Sequence, residues 1–85
     1  MNQSPVAIYT TPTCGYCRAT KDLFKTHNIA YTEIDVSQDR AKAREMIQKS
    51  GQMGVPVTIV GEGREAQIIV GYDRDRLSRV LNITL

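Results

Sequence analysis

The spacing of apolar and polar positions changes period several times along the chain, and each change marks an element. Val6-Ala7-Ile8-Tyr9-Thr10 is a short β-forming run that stops at Thr11-Pro12, and it predicts a buried strand. Beyond it the spacing widens to that of a helix, with Thr20, Leu23, Phe24 and His27 on one inward stripe and Thr13 as the expected N-cap. Tyr31 to Val36 returns to alternation and predicts a second strand. Ser37 offers the next N-cap, and Asp39 suits the positive end of a helix dipole. Ala43, Met46, Ile47 and Ser50 then form a stripe that Gly51 stops.

Val55-Pro56-Val57-Thr58-Ile59-Val60 predicts a third strand with a proline near its start. A polar loop through Gly61, Glu62 and Gly63 leads to Ala66–Val70 as its hairpin partner, which Gly71 ends. Asp73 is placed to cap a last helix carrying Leu77, Val80, Leu81 and Thr84 on its inner side. The order is β-α-β-α-β-β-α. Strands one and two, joined through a helix, should run parallel, and the last two antiparallel. The expected fold is α/β, a mixed four-stranded sheet flanked by three helices. Connections are short, with no linker, repeat or low-complexity tract, so residues 1–85 are expected to form one domain.

Composition narrows the possible partners. With 41% hydrophobic and 24% charged residues the chain has an ordinary globular mix. A net charge of +2, scattered basic residues, one Phe and four Tyr point away from a nucleic-acid partner. No apolar run approaches the roughly 20 residues of a membrane span. The first residues lack the charged-then-apolar pattern of a signal peptide, so the expected location is the cytoplasm.

In a reducing compartment, two cysteines three positions apart are not a structural staple. A bridge between them closes only a tiny loop. Cys14 falls in the expected first turn of the first helix and Cys17 one turn later, so their sulfurs are neighbours. Unpaired backbone N–H groups and the positive dipole end favour a thiolate at Cys14, while Cys17, deeper in the helix, stays a thiol until needed. Arg18 and Lys21 add positive charge from solvated positions. The chemistry this predicts is thiol–disulfide exchange. Cys14 attacks a substrate disulfide, and Cys17 resolves the mixed disulfide. Inert structural thiols and half of a zinc site are the competing readings; zinc needs four ligands, but no second cysteine pair exists and His27 is the only histidine. His27 itself, at a helix end, reads as a surface residue complementing the dipole.

The stretch Ile8-Tyr9-Thr10-Thr11-Pro12-Thr13-Cys14-Gly15-Tyr16-Cys17 resembles the active-site segment of glutaredoxins. The likeness continues through Lys21, Ile29-Ala30-Tyr31, Ile34-Asp35-Val36, Val55-Pro56 and Gly71-Tyr72-Asp73, in the same order and spacing. Ser50-Gly51-Gln52-Met53-Gly54-Val55-Pro56-Val57 is similar to short bacterial and archaeal glutaredoxin-like proteins in particular.

This resemblance implies a thioredoxin-like fold, cytosolic disulfide reduction, no permanently bound cofactor and a monomer. It implies a cis Val55-Pro56 peptide whose Val55 backbone receives glutathione or an extended protein substrate beside Cys14. It further implies that Tyr16 forms part of the wall, and that the Gly71-Tyr72-Asp73 turn holds the γ-glutamyl end of glutathione. Thr11 stands where many glutathione-using members carry lysine, Val70-Gly71 where many carry two glycines, and Gly15 where proline is commoner. Three readings therefore stand side by side. The first is a reductase of protein disulfides and glutathione mixed disulfides. The second is a redoxin serving one partner enzyme, such as ribonucleotide reductase or a peroxidase, recycled by a flavoprotein reductase. The third is a carrier holding an iron–sulfur cluster between two subunits.

Overall fold

Almost every position of Val6–Thr10 is apolar or a small hydroxyl, which suits a strand covered on both faces. In the computed structural model, which describes residues 4–83, this segment is the inner strand β1. There follow α1 (Gly15–Thr26), β2 (Thr32–Asp35), α2 (Arg40–Ser50), β3 (Val57–Val60), a short 3-10 turn over Gly63–Glu65, β4 (Gln67–Val70) and α3 (Arg74–Leu81). The sheet runs β2-β1-β3-β4. β1 pairs parallel with β2 and antiparallel with β3, and β3 pairs antiparallel with β4. The expected α/β architecture is the one observed. Thr84, assigned from the sequence to the stripe of the last helix, lies outside the described residues.

The period of two along β1 sorts the core into two halves. Val6 and Ile8 face one side of the sheet, where they meet Leu23 and Phe24 of α1, Leu77 of α3, and Val60 and Ile69. Tyr9 faces the other, packing with Val57, Ile59 and Met46 of α2. Two helices thus cover one face and one helix the other. The α2 stripe is narrower than its spacing suggests: Met46 is buried, Ala43 and Ser50 are half-buried, and Ile47 stays exposed. One helix on a four-stranded face buries little more than its central row.

Two of the expected caps move. Ser37 does not cap α2; its N–H and hydroxyl both donate to Asp35 Oδ1, closing a tight turn after β2. Asp39, two residues on, caps the helix by accepting the Lys42 N–H at 3.1 Å. Thr13 does not cap α1 either. It lies in the turn that brings the Cys14 N–H to the Thr11 carbonyl, and Cys14 itself is the N-cap. The stops are Gly51 after α2, with φ of 76°, and Asn28 after α1, with φ of 57°. At Asn28 the Ile29 N–H reaches back to the Phe24 carbonyl at 2.8 Å, a Schellman closure.

Asp73 caps α3 as expected, accepting the Arg76 N–H at 3.1 Å. Asp73→Ala should remove about 1 kcal/mol, a fall in Tm of roughly 4–8 °C by thermal melting. Asp73→Asn, an equally good cap, should hold the wild-type Tm. Any loss of activity in that variant then belongs to the carboxylate charge and not to stability.

A dithiol at the start of helix α1 as the candidate active site

A helix leaves its first N–H groups without intrahelical partners, and whichever side chain occupies the N-cap can accept one. Here that side chain is a thiol. Cys14 takes an extended backbone (φ −91°, ψ 114°), and its Sγ accepts the Cys17 N–H at 3.1 Å. The first expected active-site residue is therefore not in the first turn but just ahead of it, half-buried, with its sulfur at the open end of the helix. Gly15 follows at the first helical position, where an N–H is spare and proline is commonly tolerated. A Cβ there would meet nothing within 4 Å.

Cys17 faces inward and keeps only 1% of its surface exposed. Burial raises its thiol from an ordinary value of 9.0 to about 11, helped by the hydrogen bond and charge of Cys14 and opposed by a backbone hydrogen bond from Thr11 and the charge of Lys21. The two thiols are thus unequal in access: one sulfur open at the helix end, the other protonated beneath it.

The opposite wall comes from the loop before β3. The Val55-Pro56 peptide is cis, and the Cys14 thiol points at the Val55 carbonyl 3.8 Å away. Ahead of it Gln52 shapes the backbone with its side-chain amide, donating to the Gly54 carbonyl at 3.0 Å and accepting the Gly54 N–H at 2.8 Å. A Cβ on Gly54 would come within 2.9 Å of the Gln52 oxygen, so a side chain there would push this amide aside. In the sequence Gln52 stands out only as part of the stretch that resembles short glutaredoxin-like proteins. Its role depends on a neighbour two positions away, and no periodicity carries that signal.

The third wall is tied to the second. Gly71 turns the chain at φ of 81°, a region glycine enters freely, and its N–H donates to the Pro56 carbonyl at 2.8 Å. The structure therefore joins Thr11, Cys14, Cys17, Val55, Pro56 and Gly71 through direct contacts. Tyr16, on the first turn of α1, is 69% exposed, and Met53 on the Gln52 loop is 77% exposed. Asp73 is exposed at the N-terminus of α3, whereas Tyr72 packs against the core cluster shared by α1 and α3.

Lys21 departs from its expected solvated position. Its Nζ donates to Glu33 Oε2 at 2.9 Å, and the same oxygen accepts the Thr10 hydroxyl at 2.8 Å. Each partner shifts the other in the usual sense, the Lys21 ammonium pushed up by Glu33 and the Glu33 carboxyl held down by Lys21 and Thr10. Among the described residues no group of three or more His, Cys, Asp or Glu is placed to hold a metal ion, and no helix is long and apolar enough to cross a membrane.

Comparisons with known proteins agree with this geometry. Residues 6–64 match the glutaredoxin family model. A glutaredoxin-like 8.6 kDa protein of the rubredoxin operon of Clostridium pasteurianum is 34% identical over 76 residues, covering 89% of this chain and 96% of that protein. Glutaredoxin 3 of Escherichia coli is 37% identical over 68 residues, 80% of this chain and 77% of its own length. Among solved structures, NrdH-redoxin of Escherichia coli, described as glutaredoxin-like with a thioredoxin-like activity profile, superposes with a TM-score of 0.72 at 26% identity, covering 89% of this chain and 93% of that one.

Proposed function

Because this chain belongs to the glutaredoxin family, whose members are thiol–disulfide oxidoreductases, we propose that it reduces protein disulfides and glutathione mixed disulfides with Cys14 as nucleophile and Cys17 as resolving thiol. One observation carries the assignment. Cys14 Sγ lies at the open end of α1 against the Val55 carbonyl, while Cys17 is held as a buried thiol one turn below.

The steps follow from that asymmetry. An extended substrate lies along the Val55 backbone, and the Cys14 thiolate attacks its nearer sulfur in line with the disulfide. The first product leaves as a thiol. Cys17 then gives up its proton, attacks Cys14 and frees the second half of the substrate, leaving Cys14 and Cys17 as a disulfide. Glutathione reopens that disulfide. In the glutathione-bound state Thr11, Tyr16, Val55, Pro56, Gly71, Tyr72 and Asp73 form the surrounding surface, Asp73 and the Gly71 turn taking the γ-glutamyl end. The protein works as a monomer in the cytoplasm, where reducing conditions keep the pair ready, with no nucleic-acid or membrane partner.

A second reading keeps the chemistry and changes the electron source. Thr11 supplies no charge where a lysine would meet a glutathione carboxylate, and Val70 puts an exposed side chain beside Gly71. Both favour a redoxin that a flavoprotein reductase recycles and that serves a single enzyme. The protein, given a disulfide substrate in excess and either glutathione with glutathione reductase or thioredoxin reductase, each with NADPH, separates the two. Steady NADPH consumption with glutathione is the expected result. Consumption with thioredoxin reductase alone would overturn the glutathione reading and leave the second in its place.

A further inference from the structure

Lys21, Glu33 and Thr10 form a hydrogen-bonded group one helical turn along α1 from Cys17, for which disulfide exchange in its simplest form has no use. Lys21 lies one helical turn beyond Cys17 on α1, so the two share a face. Glu33 stands on the edge strand β2 in register with Ile8, whose side chain faces the α1 side of the sheet. One Glu33 oxygen ties α1, through Lys21, to the end of β1, through the buried hydroxyl of Thr10. The next residue, Thr11, accepts the Cys14 N–H at 3.4 Å, and its backbone lowers the Cys17 thiol. The group therefore brackets Cys17 from two elements. Tyr31 and Asp35 are the other titratable groups that act on this ion pair.

We propose that Lys21, held in place by Glu33, is a positioning residue for the resolving step, its ammonium stabilising the negative charge that develops on Cys17 as the mixed disulfide is broken. The inference rests on the reading of Cys17 as the resolving thiol. In that step Cys17 loses its proton to solvent and forms a bond to Cys14 Sγ. The bond from Cys14 to the substrate sulfur breaks, and the departing thiolate takes a proton from solvent. The two cysteines are oxidised to a disulfide and the substrate sulfur is reduced. Lys21 keeps its proton and Glu33 its charge throughout.

The need for such help follows from burial. A thiol held near 11 is almost wholly protonated at neutral pH, and the charge it must briefly carry has little water around it. Lys21 favours that charge, and by Coulomb's law the carboxylate paired with it acts in the opposite sense. Without Lys21 the Glu33 carboxylate is left uncompensated and opposes the thiolate; with Glu33 neutral, the full ammonium charge favours it. A tenfold change in the thiolate fraction is offset about threefold by the accompanying change in nucleophilicity. The net expectation is a change of about threefold in the resolving rate.

The test is a rapid-mixing reaction of reduced protein with an aromatic disulfide that releases a coloured thiolate twice. The first release reports attack by Cys14 and the second reports resolution by Cys17. Lys21→Met should slow the second release about threefold and the first by less, and Lys21→Arg should restore it. Glu33→Gln keeps an oxygen for both Lys21 and Thr10 but removes the opposing charge, so it should speed the second release. A purely structural tie predicts slowing in both variants. An unchanged second release in Lys21→Met, or one no faster than wild type in Glu33→Gln, overturns the proposal. Cys17→Ser in the same assay keeps this failure distinct. A second release that survives in Cys17→Ser would remove Cys17 from the resolving role, whatever Lys21 does.

Discussion

Cys14→Ser reduces no disulfide substrate, a loss of at least about a thousandfold, while Cys17→Ser loses one class of substrate and keeps another. A serine hydroxyl at position 14 still occupies the N-cap and still accepts the Cys17 N–H, so the fold survives. What it lacks is a sulfur that can attack a disulfide and form one, and removing a nucleophile costs orders of magnitude where no other group can substitute for it. Cys17 cannot take over, because the residue is 1% exposed and its thiol is pushed up to about 11. In Cys17→Ser the first attack proceeds and stops at the mixed disulfide. A protein substrate stays attached, visible as a covalent adduct on non-reducing gels, whereas a glutathione adduct is cleared by a second glutathione. Turnover of glutathione mixed disulfides should therefore persist in Cys17→Ser. Protein-disulfide reduction by that variant at the wild-type rate would contradict the division of labour between the two thiols.

Phe24→Ala should cost about 3–5 kcal/mol, a large share of the roughly 5–10 kcal/mol expected of a domain this small. Phe24 is 0% exposed and stands where α1 meets β1, packed among Ile8, Leu23 and Leu77. Its ring also lies 5.2 Å from that of Tyr31, tilted by 49°, so truncation removes an aromatic contact with the α1–β2 connection as well as leaving a cavity. Equilibrium unfolding in urea should show a midpoint well below wild type with an unchanged slope. A loss under 1 kcal/mol would mean that the core collapses around the gap, contrary to its close packing. Because α1 carries both cysteines, this variant should also lose activity in proportion to the fraction unfolded, and not through the chemistry.

Element types and order were legible in the residue pattern because they depend on local rules. Strand β1 begins and ends where its β-forming run does, since Pro12 ends it and no tertiary contact is needed to say so. Asp73 and Gly51 act as the cap and stop their side chains favour, being acceptor or permissive backbone wherever the chain goes. The caps at Thr13 and Ser37 were legible only as possibilities. Threonine, serine and aspartate all make good caps, and the choice between neighbours one or two residues apart is settled by the turn leading into the helix. At α1 the turn at Pro12-Thr13 carries the chain one residue further, so the sulfur of Cys14 takes the capping position. That shift is functional as well as structural, because it puts the sulfur at the mouth of the helix instead of on its flank.

By itself the sequence determined the pair Cys14 and Cys17 and their place at a strand-to-helix junction within a few residues, and the family through motifs spread along the chain. Only the tertiary structure decided what surrounds them. Residue 55 comes to within 3.8 Å of residue 14, and Gly71 reaches Pro56, because β3 lies antiparallel beside β1 and carries its preceding loop to the same end of the sheet. Likewise Lys21 and Glu33, twelve positions apart and unremarkable as separate surface charges, become one ion pair because parallel pairing of β2 with β1 sets Glu33 opposite Ile8. Local preference chooses helix or strand for each segment. Strand pairing chooses which distant side chains share a site, since its stabilisation comes from contacts made only when the whole sheet assembles.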